Sequence, residues 1–267
     1  MANFPEIVIP ADLLPVDGRF GAGPSKVRPE QIQALVEKSV SVMGTSHRQK
    51  PVKNEVAALR AGLAEMFTLP AGYEVVIGNG GTTAFWEIAT FGLLRDRAQF
   101  LTFGEFGSKF ASALTNPWLT TPTVIKSEPG SRAALEAQAG IDAYVYPHNE
   151  TSTGVVTPVT RVKNADSGAL MLTDATSAAG GIDFELSETD VYYFAPQKCF
   201  ASDGGLWIAL MSPTAIASVL TGWMTTTDPS GRVGSIDGPP MMRLCPPKTG
   251  AKRPRMIASS TTATSPT

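Results

Sequence analysis

Cysteine is scarce in this sequence, and so is histidine. Two cysteines, Cys199 and Cys245, in 267 residues give no disulfide framework and no CxxC pair for a metal, which suits a reducing, cytoplasmic setting. The two histidines, His47 and His148, stand far apart, so no metal-ligand set is supported. Charge of one sign is also lacking. With 22 Lys and Arg against 24 Asp and Glu the formal net charge is -2, and without clustered cations neither nucleic acid nor an anionic membrane is a natural partner. No apolar run approaches the ~18 residues that span a bilayer. The opening MANFPEIVIPADLLP has no basic start followed by an apolar stretch, so no leader is expected. What remains is a chain of ordinary composition, long enough for one large domain or a domain plus part of a second.

Residues 1–28 are rich in Pro and Gly and read as an extended arm ending in GRFGAGPSKV, whose glycines and Pro24 suggest a tight loop. Between Pro29 and Leu69, Ile32, Leu35, Val36, Val56, Leu59, Leu63 and Phe67 recur at intervals of three and four. That period predicts two helices separated by GTSHRQKP. Seven short apolar runs follow: YEVVI, FLTF, TVI, AYVY, ALMLT, VYYF and LWIALM. Most are continuous, as in strands covered on both faces. The fold class expected over 29–220 is therefore α/β, a mostly parallel seven-stranded sheet flanked by helices.

Ligands in such sheets sit at the carboxyl ends of strands, and four runs are followed by chemistry. After YEVVI comes GNGGTT, then a helical pattern; glycines and free amides at a helix start attract a phosphate, although a plain strand-to-helix turn explains them equally. The pattern matches neither GxGxxG nor GxxxxGK[ST]. After AYVY comes PHNETSTG, a dense polar cluster. After ALMLT comes Asp174, and after VYYF comes APQK, with Lys198 before a Gly-Gly pair. A lysine there either snorkels to solvent or is a nucleophile that forms a Schiff base. Pyridoxal phosphate needs a lysine for its aldehyde, an acid for its ring nitrogen, donors for its phosphate and a flat group against its ring. Lys198, Asp174, the Gly80-Gly81-Thr82 loop and an aromatic supply that set. Cys199 is read as a small buried residue beside a strand end.

The segments SHRQKPV, YEVVIGNGGTTAFW, HNETSTGV, TDATSAAGG and YYFAPQKCFASDGGLW resemble those of the phosphoserine aminotransferases, fold-type I pyridoxal-phosphate enzymes of class V, in their actinobacterial branch. The likeness runs from about Asp17 to about Ser218. It implies that Lys198 carries the cofactor and moves a proton at the substrate Cα, and that Asp174 keeps the ring nitrogen protonated. Gly81 and Thr82 would cradle the phosphate with Gln197 and Ser177, and Thr151 would sit near the phenolic oxygen. Phe106 falls where the family stacks an aromatic, usually tryptophan. His47 and Arg48, otherwise a solvated pair at a helix end, would grip the substrate anion. The implied reaction is amino transfer between glutamate and 3-phosphohydroxypyruvate, a phosphorylated keto acid, by homodimers. A related keto acid in pyridoxal phosphate synthesis is handled by some members. His148 is assigned a structural hydrogen bond beside Asn149.

The likeness stops before residues 221–267, which are rich in Pro, Thr, Ser and Gly and show no period. This tail is expected to be disordered and foreign to the family, the product of a frame shift or a gene-model error. The family continues with an Asn-x-Thr-x-x-Thr-Pro segment and a small C-terminal domain, both missing here, so catalysis would fall steeply. Competing readings are another class-V enzyme, such as an alanine-glyoxylate transaminase or a cysteine desulfurase, and a non-catalytic fragment. The SHR segment argues against the desulfurase, which requires a mobile-loop cysteine.

Overall fold

The computed structural model describes residues 7–15, 17, 23–114 and 119–224, with side chains as far as Val219. Most of the expected tail, Cys245 included, lies outside the described residues, as does the start of the arm. The expected tail boundary at 221 falls inside the last helix, which runs to Met224.

All seven apolar runs are strands of one sheet. In chain order the strands are β1 (Glu74–Asn79), β2 (Ala98–Thr102), β3 (Thr123–Lys126), β4 (Ala143–Pro147), β5 (Asn149–Glu150), β6 (Val155–Val156), β7 (Leu170–Asp174), β8 (Val191–Phe194) and β9 (Leu206–Met211). The main sheet has the order β1-β9-β8-β7-β4-β2-β3, while β5 and β6 form a two-stranded hairpin. Pairs β2/β3, β2/β4, β4/β7 and β7/β8 are parallel. Strand β9 runs against both its neighbours. The continuous runs have the predicted cause: every residue of β2, β4 and β8 is buried, whereas edge strand β3 alternates.

The period of two splits the sheet between two layers. Tyr193, Leu172, Val145 and Phe100 face a core with Phe85 and Trp86 of helix α3 (Thr82–Gly92) and Phe110 of α4 (Glu105–Ala113). Helix α5 (Pro213–Met224) joins this layer through Ala215. Tyr192, Phe194, Ile208 and Leu210 point the other way, to Leu63 and Leu186.

The two predicted helices are α1 (Pro29–Val42) and α2 (Lys50–Met66). Helix α1 opens with Pro29 in its first turn and a Gln31 side chain accepting from Arg28 N at 2.9 Å. Their apolar stripe does not reach the core, however: Ile32, Leu35 and Val36 are more than half exposed and Val40 is 95% exposed. In this stripe only Leu63 is buried, with Phe67 packed beside it. Among the described residues no helix is long and apolar enough to cross a membrane.

Candidate functional site

Parallel pairing brings the chemical residues to one end of the sheet. Register aligns Pro147 of β4 with Asp174 of β7, and Asp174 with Tyr193 of β8. Four residues beyond Phe194, Lys198 projects from a loop closed by Ala201 N donating to Lys198 O at 3.0 Å and Ser202 N donating to Pro196 O at 3.2 Å. A cavity of about 190 Å³ at this end is lined by Gly81, Thr82, Thr83, Trp86, Phe106, Pro147, Asn149, Thr151, Asp174, Thr176, Gln197 and Lys198. Three roomier clefts, of about 440, 480 and 530 Å³, lie elsewhere and carry neither Lys198 nor Asp174. The chemistry therefore selects the smaller cavity.

Asp174 Oδ1 accepts from Thr176 N at 2.9 Å and Thr176 Oγ1 at 2.6 Å. Loss of water around the enclosed carboxyl raises its pKa, against the lowering pull of those Thr176 bonds. In the same lining α3 begins after Gly81 without a side-chain cap; the Ala84 amide donates to Gly81 O, and those of Thr82 and Thr83, which have no intrahelical acceptor, are available at the cavity wall. Gln197 lines the cavity with its Oε1 buried and unpartnered.

Seven of the expected site residues line this cavity: Gly81, Thr82, Phe106, Thr151, Asp174, Gln197 and Lys198. Four expected residues do not. Gly80 is a turn residue at φ +104°, and its N–H is taken by Gly205 O at 2.9 Å, so it has no amide for a phosphate. Ser177 stands one step behind, accepting from Asn149 Nδ2 and Thr151 Oγ1, each at 2.8 Å; it orients two lining residues and is not one itself. His47 and Arg48 are exposed on the turn between α1 and α2 and do not belong to this chain's cavity lining. No strand end carries them, so the sheet cannot deliver them there. Cys199 is exposed, not buried, with its Sγ donating to Ser177 O at 3.7 Å.

Five lining residues were not singled out by sequence: Thr83, Trp86, Pro147, Asn149 and Thr176. Trp86 follows Thr82 by one helical turn, a signal that was present, and stacks on Phe110 at 5.3 Å. Another positioning device is Glu150, wholly buried, which accepts from Gly107 N at 3.0 Å, Ser152 Oγ at 2.7 Å and Ser152 N at 3.1 Å. The carboxylate thereby caps α4, the helix presenting Phe106. A Cβ on Gly104 would overlap the Glu150 and Ser152 side chains, so glycine is required there. His148 is buried and shares a hydrogen bond with Tyr192 Oη at 3.1 Å. Burial pushes its pKa down to about 4, which keeps it neutral and structural.

These residues fit pyridoxal phosphate. Lysine and acid line one cavity, free helix amides and threonine hydroxyls stand at its wall, and two aromatics offer flat faces. A dry cavity of about 150 Å³ holds benzene, so a substituted pyridine ring has room. Among the described residues no cluster of His, Cys, Asp and Glu is arranged for a metal.

A sequence profile described as aminotransferase class-V matches residues 19–220. The chain is 61% identical to the phosphoserine aminotransferase of a Nocardioides species over 215 residues, which are 80% of this chain and 58% of that protein. The chain thus spans less than two thirds of the length of such curated relatives. Among solved structures, a phosphoserine aminotransferase from Cytophaga hutchinsonii superposes with a TM-score of 0.68 at 22% identity, covering 80% of this chain and 60% of that one. Another, from Trichomonas vaginalis with pyridoxal phosphate bound, gives a TM-score of 0.63 at 17% identity over 74% of this chain and 62% of that one. At these identities the superpositions establish the fold.

Proposed function

The chain belongs to the class-V aminotransferase family, and from that premise we propose that it moves an amino group between glutamate and 3-phosphohydroxypyruvate, yielding 2-oxoglutarate and O-phosphoserine on the route to serine. One observation carries the reading: Lys198 and Asp174 line the same cavity as the first turn of α3. When bound, pyridoxal phosphate supplies an aldehyde for amines and an electron-withdrawing ring.

The chain's own residues do the remaining work. Lys198 would hold the group through its aldehyde and is the amine placed to carry a proton to and from the substrate Cα. The Asp174 carboxylate would accept from the ring N–H, and that cation would counteract the burial that raises its pKa. The α3 amides, with Thr82 and Thr83, receive the phosphate. Phe106 and Trp86 would cover the ring and exclude water, and Thr151, whose hydroxyl donates to Ser177, would be held beside the phenolic oxygen.

Lys198 is the single cation among the described lining residues. A keto acid bearing a phosphate and a carboxylate needs more positive charge than that. We assign this to His47 and Arg48 of a second copy, because the exposed apolar stripe of α1 and α2 beside that turn suits a dimer contact. The working unit is then a cytosolic homodimer, with 29–224, the last helix included, as the cofactor domain and 1–28 as an arm.

The test begins with colour. Added pyridoxal phosphate gives a yellow band, borohydride fixes the pyridoxyl mass on the peptide containing Lys198, and Lys198→Ala shows neither; a parent chain without band or label refutes the reading. Turnover of glutamate with 3-phosphohydroxypyruvate is expected to exceed that of alanine with glyoxylate, and the reverse order would transfer the chain to the alanine-glyoxylate class.

A further inference from the structure

Residues 23–25, marked by the sequence only as part of a tight turn, lie against the lysine. Gly23 is so close to Lys198 that a Cβ built on it would fall 2.6 Å from Nζ and 2.8 Å from Cε, with the backbone at φ +153°. Two residues on, Ser25 N donates to Gln197 O at 2.7 Å, and Ser25 Oγ donates to Lys198 O. The peptides on both sides of Lys198 are therefore held by one residue, Ser25, 173 positions away in sequence. This matters because Lys198 stands on a loop and not on a strand, so no ladder fixes its backbone. A long, flexible side chain on an unpaired loop would otherwise sample many directions.

We propose that Gly23 and Ser25 are positioning residues forming a clasp on Lys198. Ser25 fixes the peptide that carries the lysine, and the bare Gly23 Cα leaves a slot through which the side chain passes, shielding its amine on one flank while leaving it directed at the cavity. The inference rests on the reading of Lys198 as the cofactor amine for its purpose, but its geometry does not depend on a cofactor. Only glycine fits the slot, since any Cβ would displace either the arm or the lysine.

The experiment therefore has two arms. In the first, the chain without added cofactor is briefly acetylated, and the labelling rate of Lys198 is read by mass spectrometry against the exposed Lys163. Gly23→Ala and Ser25→Ala are each expected to raise that ratio several-fold, and Ser25→Thr to return it to the parent value, with thermal midpoints recorded to show that each variant is folded. In the second arm, pyridoxal phosphate is titrated in. Gly23→Ala is expected to weaken uptake about tenfold and to slow appearance of the yellow band, and Ser25→Ala to do so several-fold. Unchanged labelling in folded Gly23→Ala and Ser25→Ala overturns the clasp. A parent chain that takes up no pyridoxal phosphate overturns the proposed function, while the labelling ratio still decides the clasp.

Discussion

Asp174 concentrates the conflict between stability and chemistry at a single residue. Its carboxyl is held where loss of water raises its pKa, so without a cationic partner the folded chain binds this proton more tightly than the unfolded chain does. The sign follows: the contribution is fully present below the unfolded carboxylate range and is lost as pH rises through the raised folded value. Asp174→Asn is thus expected to leave the cofactor-free chain as stable as the parent or more stable at pH 8, by calorimetry, while weakening pyridoxal phosphate binding at least tenfold. Asp174 and Lys198 were legible in the sequence because each follows a continuous apolar run, and strand ends are where such sheets bind ligands. Gly80 and Ser177 fall outside the cavity lining because of their partners, Gly205 O for one and Asn149 with Thr151 for the other. No local pattern shows that an amide is already occupied.

At the level of elements, the strands were the easiest to read and their directions the hardest. Burial on both faces writes itself as an unbroken run, but LWIALM carries no mark of polarity, so the antiparallel course of β9 comes only from its pairing with β1 and β8. The helix caps were similarly hidden. Glu150 lies in the polar HNETSTG cluster, and its use as the N-terminal cap of α4 depends on contacts 43 and 44 positions away. Glu150→Ala would leave the Phe106 and Gly107 amides without their acceptor, a loss of about 1–3 kcal/mol to be read in urea unfolding. Because α4 carries Phe106, cofactor affinity should fall several-fold as well. Glu150→Gln, which keeps one acceptor oxygen, should recover part of both; equal stability of the alanine variant and the parent would remove the cap from the account.

For the whole molecule, the helical period over 29–69 predicted the helices correctly but not where their apolar faces go. Val40 at 95% exposure and Leu35 at 54% are not core residues of the chain, and an exposed apolar stripe of this kind is what the proposed dimer would cover. Sedimentation is expected to give a mass of two chains. Leu35→Glu combined with Val40→Glu should reduce it to one without loss of helical signal and should raise the KM for the phosphorylated keto acid as Arg48→Ala does. A dimer that survives the double substitution would separate α1 from the contact.

The bond from Gly80 N to Gly205 O ties the turn after the first strand to the turn before the last. Its two ends are made long apart during synthesis on the ribosome, and the stretch between them contains the acid, the lysine and the ring cover. A nascent chain ending before Leu206 would already contain Lys198, but β1 and the turn after it would lack the strand they pair with. Cofactor uptake by the proposed site is therefore expected to be complete only once β9 has been made and has paired with β1.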